Sequence, residues 1–344
     1  MIEYNISTIS KVKTENLFDF YKKAFPNRYK ILCKNWKWWY RNNYLSCEPI
    51  LLVLKNKVIG QAGLIPIKIK IKEKIIPAIW FIDYAILPEY QGKGFGKILT
   101  REWMKICPNQ ITFCNKQSLR IFKKFNWDSN YSTKKIAYPI NPLKYLPIIN
   151  KFELNIITSK YKNILKKPYD DMSLIYPHLI ADNSKIILDS FNKKKNKKTD
   201  FFEILRDEDW FNWRLIENPF KKNIYFFENN GSFAIVNIFK IKNIKRLNIL
   251  YIFHLDHEKG EEDLIKKIFY WSLNNSIDLV WANSNNQNLI KKYQKVLTKR
   301  FSSNMNFASF SSDKNVKDKL KLGFSDTHAI DSDNDIILLD DSYS

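Results

Sequence analysis

The sequence predicts an α+β or α/β chain built of two tandem units that share one order of elements, and three observations carry that expectation. Between residues 79 and 107 an apolar run, a glycine-rich loop and an amphipathic pattern follow one another as strand, loop and helix. Trp38 and Asn43 recur as Trp213 and Asn218, 175 residues later, and a strand-like run follows each pair. Apolar residues make up 45 % and aromatic residues 15 % of the 344 residues, enough to fill two cores.

In the first half, Leu17–Lys23 reads as a helix, Ile50–Leu54 as a strand, and Lys55-Asn56-Lys57 as the turn into another strand. The run Ile79–Leu87 reads as a buried strand that Pro88-Glu89-Tyr90 stops. Gln91-Gly92-Lys93-Gly94-Phe95-Gly96 then holds three of the chain's eight glycines. Such clustering in a glycine-poor chain points to a backbone that needs positive φ or a close ligand. Phe95, Ile98, Leu99, Trp103 and Ile106 fall at helical spacing, and the pattern ends at Cys107-Pro108. Ile111–Cys114 reads as a short strand, followed by a helix whose apolar stripe is Ile121, Phe122 and Phe125.

The second half repeats the order more faintly. Leu188–Lys194 matches Leu17–Lys23, Asn223–Phe227 matches the first strand, and Glu228–Gly231 the turn. The strand Leu247–Leu255 runs into Asp256–Glu262, with one glycine and four carboxylates, where an anion would be repelled. A helix from Leu264 and a strand Leu279–Asn283 follow. An acidic tail after Asp326 surrounds a short strand, Ile336–Leu339. The expected boundaries are 1–145 for the first domain and 146–344 for the second, beginning with a linker at 146–185.

A strand, a glycine loop and a helix N-terminus together make a phosphate cradle. The Walker pattern does not fit, since no Gly-Lys-Ser/Thr follows four spacers. The dinucleotide fingerprint fails because position 97 is Lys97. The segment resembles the acyl-CoA motif of the GNAT acetyltransferase superfamily, Q/R-x-x-G-x-G/A, through Gln91, Gly94 and Gly96, preceded by Leu87-Pro88-Glu89-Tyr90. Asn115, Ser118, Ile121, Phe122 and Phe125 resemble the family's next segment.

The resemblance implies two GNAT-like domains, each a mixed, mostly antiparallel twisted sheet flanked by helices. It also implies acetyl-CoA as co-substrate, held by Ala85, Ile86, Leu87, Gln91, Gly92, Lys93, Gly94, Phe95, Gly96, Asn115, Ser118 and Phe122. The second half resembles the non-catalytic half of tandem members, a role of shaping the acceptor cleft. Two residues depart from the pattern. Phe122 stands where many members have the Tyr that protonates the leaving thiolate, which leaves another acid, solvent, or no catalysis. Asn126 replaces a glycine, a change that a left-handed helix end accepts.

An acceptor amine must lose a proton before attack, and Asp83 is the acidic residue within the Ile79–Leu87 strand. A structural hydrogen-bonding role for Asp83 fits the sequence equally. In a regular strand Tyr84 faces the opposite way, so either Asp83 as base or Tyr84 as acid faces the thioester. Cys114 is a lesser acid, and amides near Ala85 and Ile86 suit an oxyanion. The expected activity is acetyl transfer to a primary amine of a small molecule, possible acceptors including an amino sugar of surface-glycan synthesis that Trp36, Trp38 and Trp39 would stack on. Alternatives are a peptide or amino-acid amine, or an inactive CoA-binding scaffold whose basic surface takes an anionic polymer.

The net charge is +22, from 57 basic and 35 acidic residues. Lysines are spread along the chain, with one tight run at Lys193–Lys198, so the charge favours anionic ligands without pointing to nucleic acid. No apolar run approaches the ~18 residues of a membrane span, and Met1–Asn5 lacks a secretion-signal profile. Cys33, Cys47, Cys107 and Cys114 show no metal-site spacing, and only His254 and His257 lie close together. The expectation is a reduced, cytoplasmic, metal-free protein.

Overall fold

The structure is a computed structural model that describes residues 4–41, 44–145, 161–166, 169, 172–195, 202–241, 243–254, 260–297, 301–321, 325–326 and 329–331. The expected strand at Ile336–Leu339, much of the 146–185 linker, the end of the Lys193–Lys198 run and Asp256–Lys259 lie outside them.

The first half runs β1 (Asn5–Thr8), α1 (Thr14–Ala24), α2 (Tyr29–Trp39), β2 (Ile50–Leu54), β3 (Lys57–Ile71), β4 (Lys74–Ile86), α3 (Phe95–Met104), β5 (Asn109–Cys114), α4 (Lys116–Lys123) and β6 (Asp128–Pro139). The second continues with β7 (His178–Leu179), α5 (Ser184–Lys195), β8 (Phe202–Ile204), α6 (Glu208–Phe211), β9 (Ile224–Asn229), β10 (Ser232–Ile241) and β11 (Ile244–His254). It ends with α7 (Gly260–Asn274), β12 (Leu279–Ser284), α8 (Gln287–Val296), β13 (Phe301–Ser311), α9 (Lys314–Lys321) and β14 (Ser325–Asp326).

The chain forms two compact units, each assembled from three segments: Met1–Ser132, Lys198–Leu205 and Met305–Asp326 in unit 1, and Thr133–Lys197, Arg206–Asn304 and Thr327–Ser344 in unit 2. This differs from the contiguous division at 145/146 read from the sequence. The cause is where two strands go. The strand after α4, β6, gives residues 134–139 to β12 in unit 2. The corresponding strand after α8, β13, gives residues 306–311 to β5 in unit 1.

Within unit 1 the sheet order is β1-β2-β3-β4-β5-β13, antiparallel except for the β4–β5 pair. The short β8 pairs with the far end of β3, and β14 with β8. In unit 2 the order is β6-β12-β11-β10-β9-β7, antiparallel except for β11–β12. Both sheets are mixed, mostly antiparallel and flanked by helices, as the sequence predicts. The duplication reads through as well: Trp38 lies in α2 ahead of β2, and Trp213 in the helical segment Asn212–Ile216 ahead of β9.

Each core follows from the helical periodicity. In unit 1, Phe95, Leu99 and Trp103 point from α3 into a cluster with Leu52, Ile79 and Phe81. In unit 2, Leu264, Ile265, Ile268 and Phe269 from α7 pack with Leu247, Ile249 and Val280. Asparagine caps the helix after the last central strand in both. Asn115 accepts from the Ser118 amide at 2.8 Å, and Asn286 from the Asn288 and Leu289 amides at 3.1 Å. The α4 end closes as expected at Asn126, whose φ is +61°, with Trp127 N–H donating to the Phe122 carbonyl.

One irregularity positions the site. Between β3 and β4 the register passes from Gln61↔Ala85 to Gly63↔Ile82, so Asp83 and Tyr84 together oppose Ala62. This is a β-bulge, and Asp83 takes the left-handed conformation with φ +48°, which Asp tolerates better than most residues. A Cβ at Gly63 would lie 2.7 Å from the Ile82 carbonyl oxygen, so only glycine fits opposite the bulge.

Candidate active site

The glycine loop leaves β4 through a single helical turn at Pro88–Tyr90 and enters α3 at Gly94. Gly92 and Gly94 have φ of +76° and +85°, and nothing lies within 4 Å of a Cβ built on either. Their conformation, not crowding, is what calls for glycine. The amides of Gly92, Lys93, Gly94, Phe95 and Gly96 make no hydrogen bond to any described residue, while the next two, Lys97 and Ile98, donate to the Gly94 carbonyl. Five unpaired donors at the positive end of a helix form an anion cradle. Gln91 Nε2 donates to the Ile86 carbonyl at 2.9 Å, and Lys93 Nζ to the Glu89 carbonyl at 2.8 Å. These two side chains brace the loop.

Beside the loop, β4 parts from β5. Their parallel pairing covers Ile79↔Gln110 and Trp80↔Ile111 and then stops. Ala85 and Ile86 pair with β3 at Gln61 and Gly60, and the Leu87 amide donates to Ile59. The opposite edge of this stretch is left without a β5 partner.

Tyr84 and Asp83 face opposite sides, as alternation requires. Because of the bulge, however, Tyr84 shares the face of Phe81, at 5.5 Å between rings, instead of alternating with it. The Tyr84 hydroxyl donates to the Gly96 carbonyl at 2.7 Å, which also accepts from Thr100 Oγ1 at 2.8 Å. Burial raises the Tyr84 pKa above its ordinary value, with the Thr100 hydrogen bond opposing.

Asp83 lies on the α1–α2 side, its carboxylate almost wholly buried. Arg28 pairs with Oδ1, while Trp39 Nε1 and Tyr40 Oη donate to Oδ2 at 2.9 and 3.1 Å. Gln61 Nε2 donates to Tyr40 Oη at 2.7 Å, and burial followed by the Asp83 charge holds the Tyr40 phenol well above its usual pKa. Three donors therefore engage the carboxylate. Trp39, expected to stack on a sugar, is 2 % exposed and committed to this cluster, while Trp36 and Trp38 are half-buried.

Two expected cofactor residues have structural partners. Phe122 is 2 % exposed, stacked on Trp127 at 4.7 Å and edge-on to Phe81 at 5.4 Å. Its ring sits in the core because the helical stripe of α4 turns it inward. Asn115 spends its carbonyl oxygen on the α4 cap, by way of the Ser118 amide. Cys114 is buried, and that burial pushes its thiol up to about 12. The sequence reading missed Arg28, Tyr40, Gln61 and Thr100. The one signal for them was Gly60 and Gly63, two glycines inside a strand, which mark a bulge or a close approach.

At the matching place in unit 2, α7 begins with three carboxylates, each already paired: Glu261 with Lys292 at 2.8 Å, Glu262 with Lys266 at 2.8 Å, and Asp263 with Lys267 at 3.5 Å. Among the described residues no group of His, Cys, Asp and Glu could hold a metal ion, and no helix is long and apolar enough to cross a membrane.

Residues 14–127 match the acetyltransferase (GNAT) family model. Among solved structures, the chain is similar to a GCN5-related N-acetyltransferase from Anabaena variabilis, with 13 % identity, TM-score 0.54, and coverage of 89 % of this chain and 72 % of that one. A GCN5-related N-acetyltransferase from Kribbella flavida gives 9 %, 0.56, 89 % and 71 %. The Saccharomyces cerevisiae N-myristoyltransferase with bound myristoyl-CoA gives 11 %, 0.55, 90 % and 83 %. At these identities the likeness is one of fold. No curated protein matches the sequence. The match falls on the segment that carries the glycine loop, the bulged β4 and the capped α4, about a third of the chain, and it is this segment that is similar to the acetyltransferase (GNAT) family.

Proposed function

We propose that unit 1 binds acetyl-CoA and transfers its acetyl group to a primary amine of a small molecule. The observation that carries this reading is the run of five unpaired amides from Gly92 to Gly96 at the head of α3. Those amides, with the charge of Lys93 beside them, suit a pyrophosphate. The end of β4 at Ala85 and Ile86 has no β5 partner and suits the amide groups of a pantetheine arm, with the Gln91 side chain yielding the Ile86 carbonyl. Acetyl-CoA supplies the activated thioester, and the remaining work is positioning. The Tyr84–Gly96 bond fixes the loop to the strand. Asp83, clamped by Arg28, Trp39 and Tyr40, holds the bulge that sets where the main-chain amides point. Its engagement supports an anchoring role over that of a free base.

For unit 2, the paired carboxylates at the start of α7 support a half that does not take CoA. The acceptor is a small amine, with amino sugars, amino acids and peptide N-termini as the classes to screen.

Calorimetric titration with acetyl-CoA should give a micromolar dissociation constant, lost in Gly94→Asp, which tolerates the left-handed φ but puts a carboxylate on the cradle. Absence of binding to the unaltered chain refutes the proposal. A second reading, CoA binding without transfer, is favoured by one observation: Phe122 offers no hydroxyl and is sealed in the core. Thiol release across the amine panel separates the two, since silence alongside firm CoA binding supports the second.

A further inference from the structure

On the α1 side of unit 1, a cleft of about 910 Å³ opens between β1, α1 and the β2–β3 hairpin, and neither the loop nor the bulge explains it. Five lysines line it, Lys11, Lys13, Lys23, Lys55 and Lys57, against a single carboxylate, Asp19. Asp19 faces Lys22 at 3.8 Å, and Lys57 is bonded to Glu89 at 3.1 Å. Lys11, Lys13, Lys23 and Lys55 make no ion pair among the described residues. Beyond a backbone hydrogen bond and Lys57, Lys23 is near enough to Glu89 to help hold its carboxyl below the usual range, and the excess of ammonium groups around one concavity favours an anion.

The cleft is built, not incidental. Asn16 Nδ2 donates to the Asn56 carbonyl at 2.8 Å, tying α1 to the hairpin tip. That tip places Lys55 and Asn56 at φ +45° and +62°, a two-residue turn that presents Lys55 over the opening. Phe20, Val53, Val58 and Leu87 supply an apolar floor, while Asn5 and Ser7 add hydrogen-bonding groups on the β1 wall. The Lys57–Glu89 bridge and the Lys93 contact to the Glu89 carbonyl stand between this cleft and the glycine loop. An apolar floor beneath a ring of lysines suits a ligand with a flat organic body and a polyanionic end, and the volume is of nucleotide size.

We propose that this cleft is a second anion site of unit 1, distinct from the glycine loop, and that it takes a phosphorylated small molecule. Two sources share that chemistry, the 3′-phosphate end of CoA and a separate phosphorylated metabolite.

The test uses the full chain, inorganic pyrophosphate as probe, and calorimetry at low salt. Lys11→Gln with Lys55→Gln removes two exposed charges and leaves the loop and core untouched. In Gly94→Asp, whose loop carries a repelling carboxylate, the cleft should still bind pyrophosphate. Adding the two lysine substitutions to that background should weaken this binding about tenfold or more, and added salt should weaken it steeply. No binding in Gly94→Asp, or equal binding with and without the two lysine substitutions in that background, overturns the proposal. A second arm compares CoA with dephospho-CoA. If the double variant erases a preference for CoA, the 3′-phosphate is the occupant. A preference that is absent, or unchanged by the variant, assigns the cleft to a separate phosphorylated molecule.

Discussion

The Tyr84 hydroxyl donates 2.7 Å to the Gly96 carbonyl, and a Cβ at residue 96 would stand 2.8 Å from that same oxygen. The bulged strand thus grips the first turn of α3 at a spot where an added methyl must displace the Tyr84 hydroxyl. Gly96→Ala should destabilise the chain by about 1–3 kcal/mol, as overpacking does. Adding Tyr84→Phe removes the clashing oxygen and should return part of that loss. Denaturant unfolding of the two variants checks both, and an additive pair would contradict the contact.

Asp83 tests anchoring against proton transfer. Asp83→Ala leaves Arg28, Trp39 and Tyr40 without their shared acceptor and should cost about 3 kcal/mol or more. Asp83→Asn keeps the shape and should cost about 1–2 kcal/mol. For an anchor, KM for acetyl-CoA rises in Asp83→Asn while the pH profile keeps its form. Loss of the rising limb of that profile would assign Asp83 the proton instead.

Phe122→Tyr introduces a hydroxyl into the packed cluster of Phe81 and Trp127. Stability should drop by about 1–3 kcal/mol, the cost of overpacking. Turnover should not rise. A faster variant would show that the thiolate reaches this ring and lacks only an acid.

The alkaline limit follows from groups whose folded pKa is raised by burial. Cys47 is pushed up to about 11 and Cys114 to about 12, and Tyr84 and Tyr40 stand above their usual values. Each binds its proton more tightly folded than unfolded. Their contribution is therefore complete below the unfolded values and is lost as pH rises through the folded ones. Thermal stability should hold to about pH 9 and then decline, since unfolded thiols ionise near there. At pH 8 a thiol reagent should find Cys33, which is half-buried, well before the three buried cysteines. Rapid labelling of all four would refute this.

What the sequence revealed was local. Gly92, Gly94 and Gly96 stand together because one loop needs them, and the stripe of Phe95, Leu99 and Trp103 repeats at helical spacing. The recurrence of Trp38 at Trp213 carried the duplication. The Asp83 clamp was hidden because Arg28, Trp39 and Tyr40 lie 43 to 55 residues away and belong to no motif. The bulge did leave a trace in Gly60 and Gly63. Lys11 and Lys55 could not stand out among 57 basic residues. Nor could alternation say whether β6 and β13 pair with near or distant strands, because the partner of a strand is not written in its own pattern.

That last point bears on how the protein is made. Unit 1 lacks the second neighbour of β5 until Asn306–Ser311 has been synthesised, almost 200 residues after Asn109–Cys114. Tandem domains ordinarily fold one after another as they leave the ribosome. Here the nascent N-terminal half must wait with an open strand edge, exposed to mispairing, until most of the chain is free. Its folding is a race between a late-arriving segment and any other strand, a hazard that sequential translation cannot relieve and that slower elongation would lengthen.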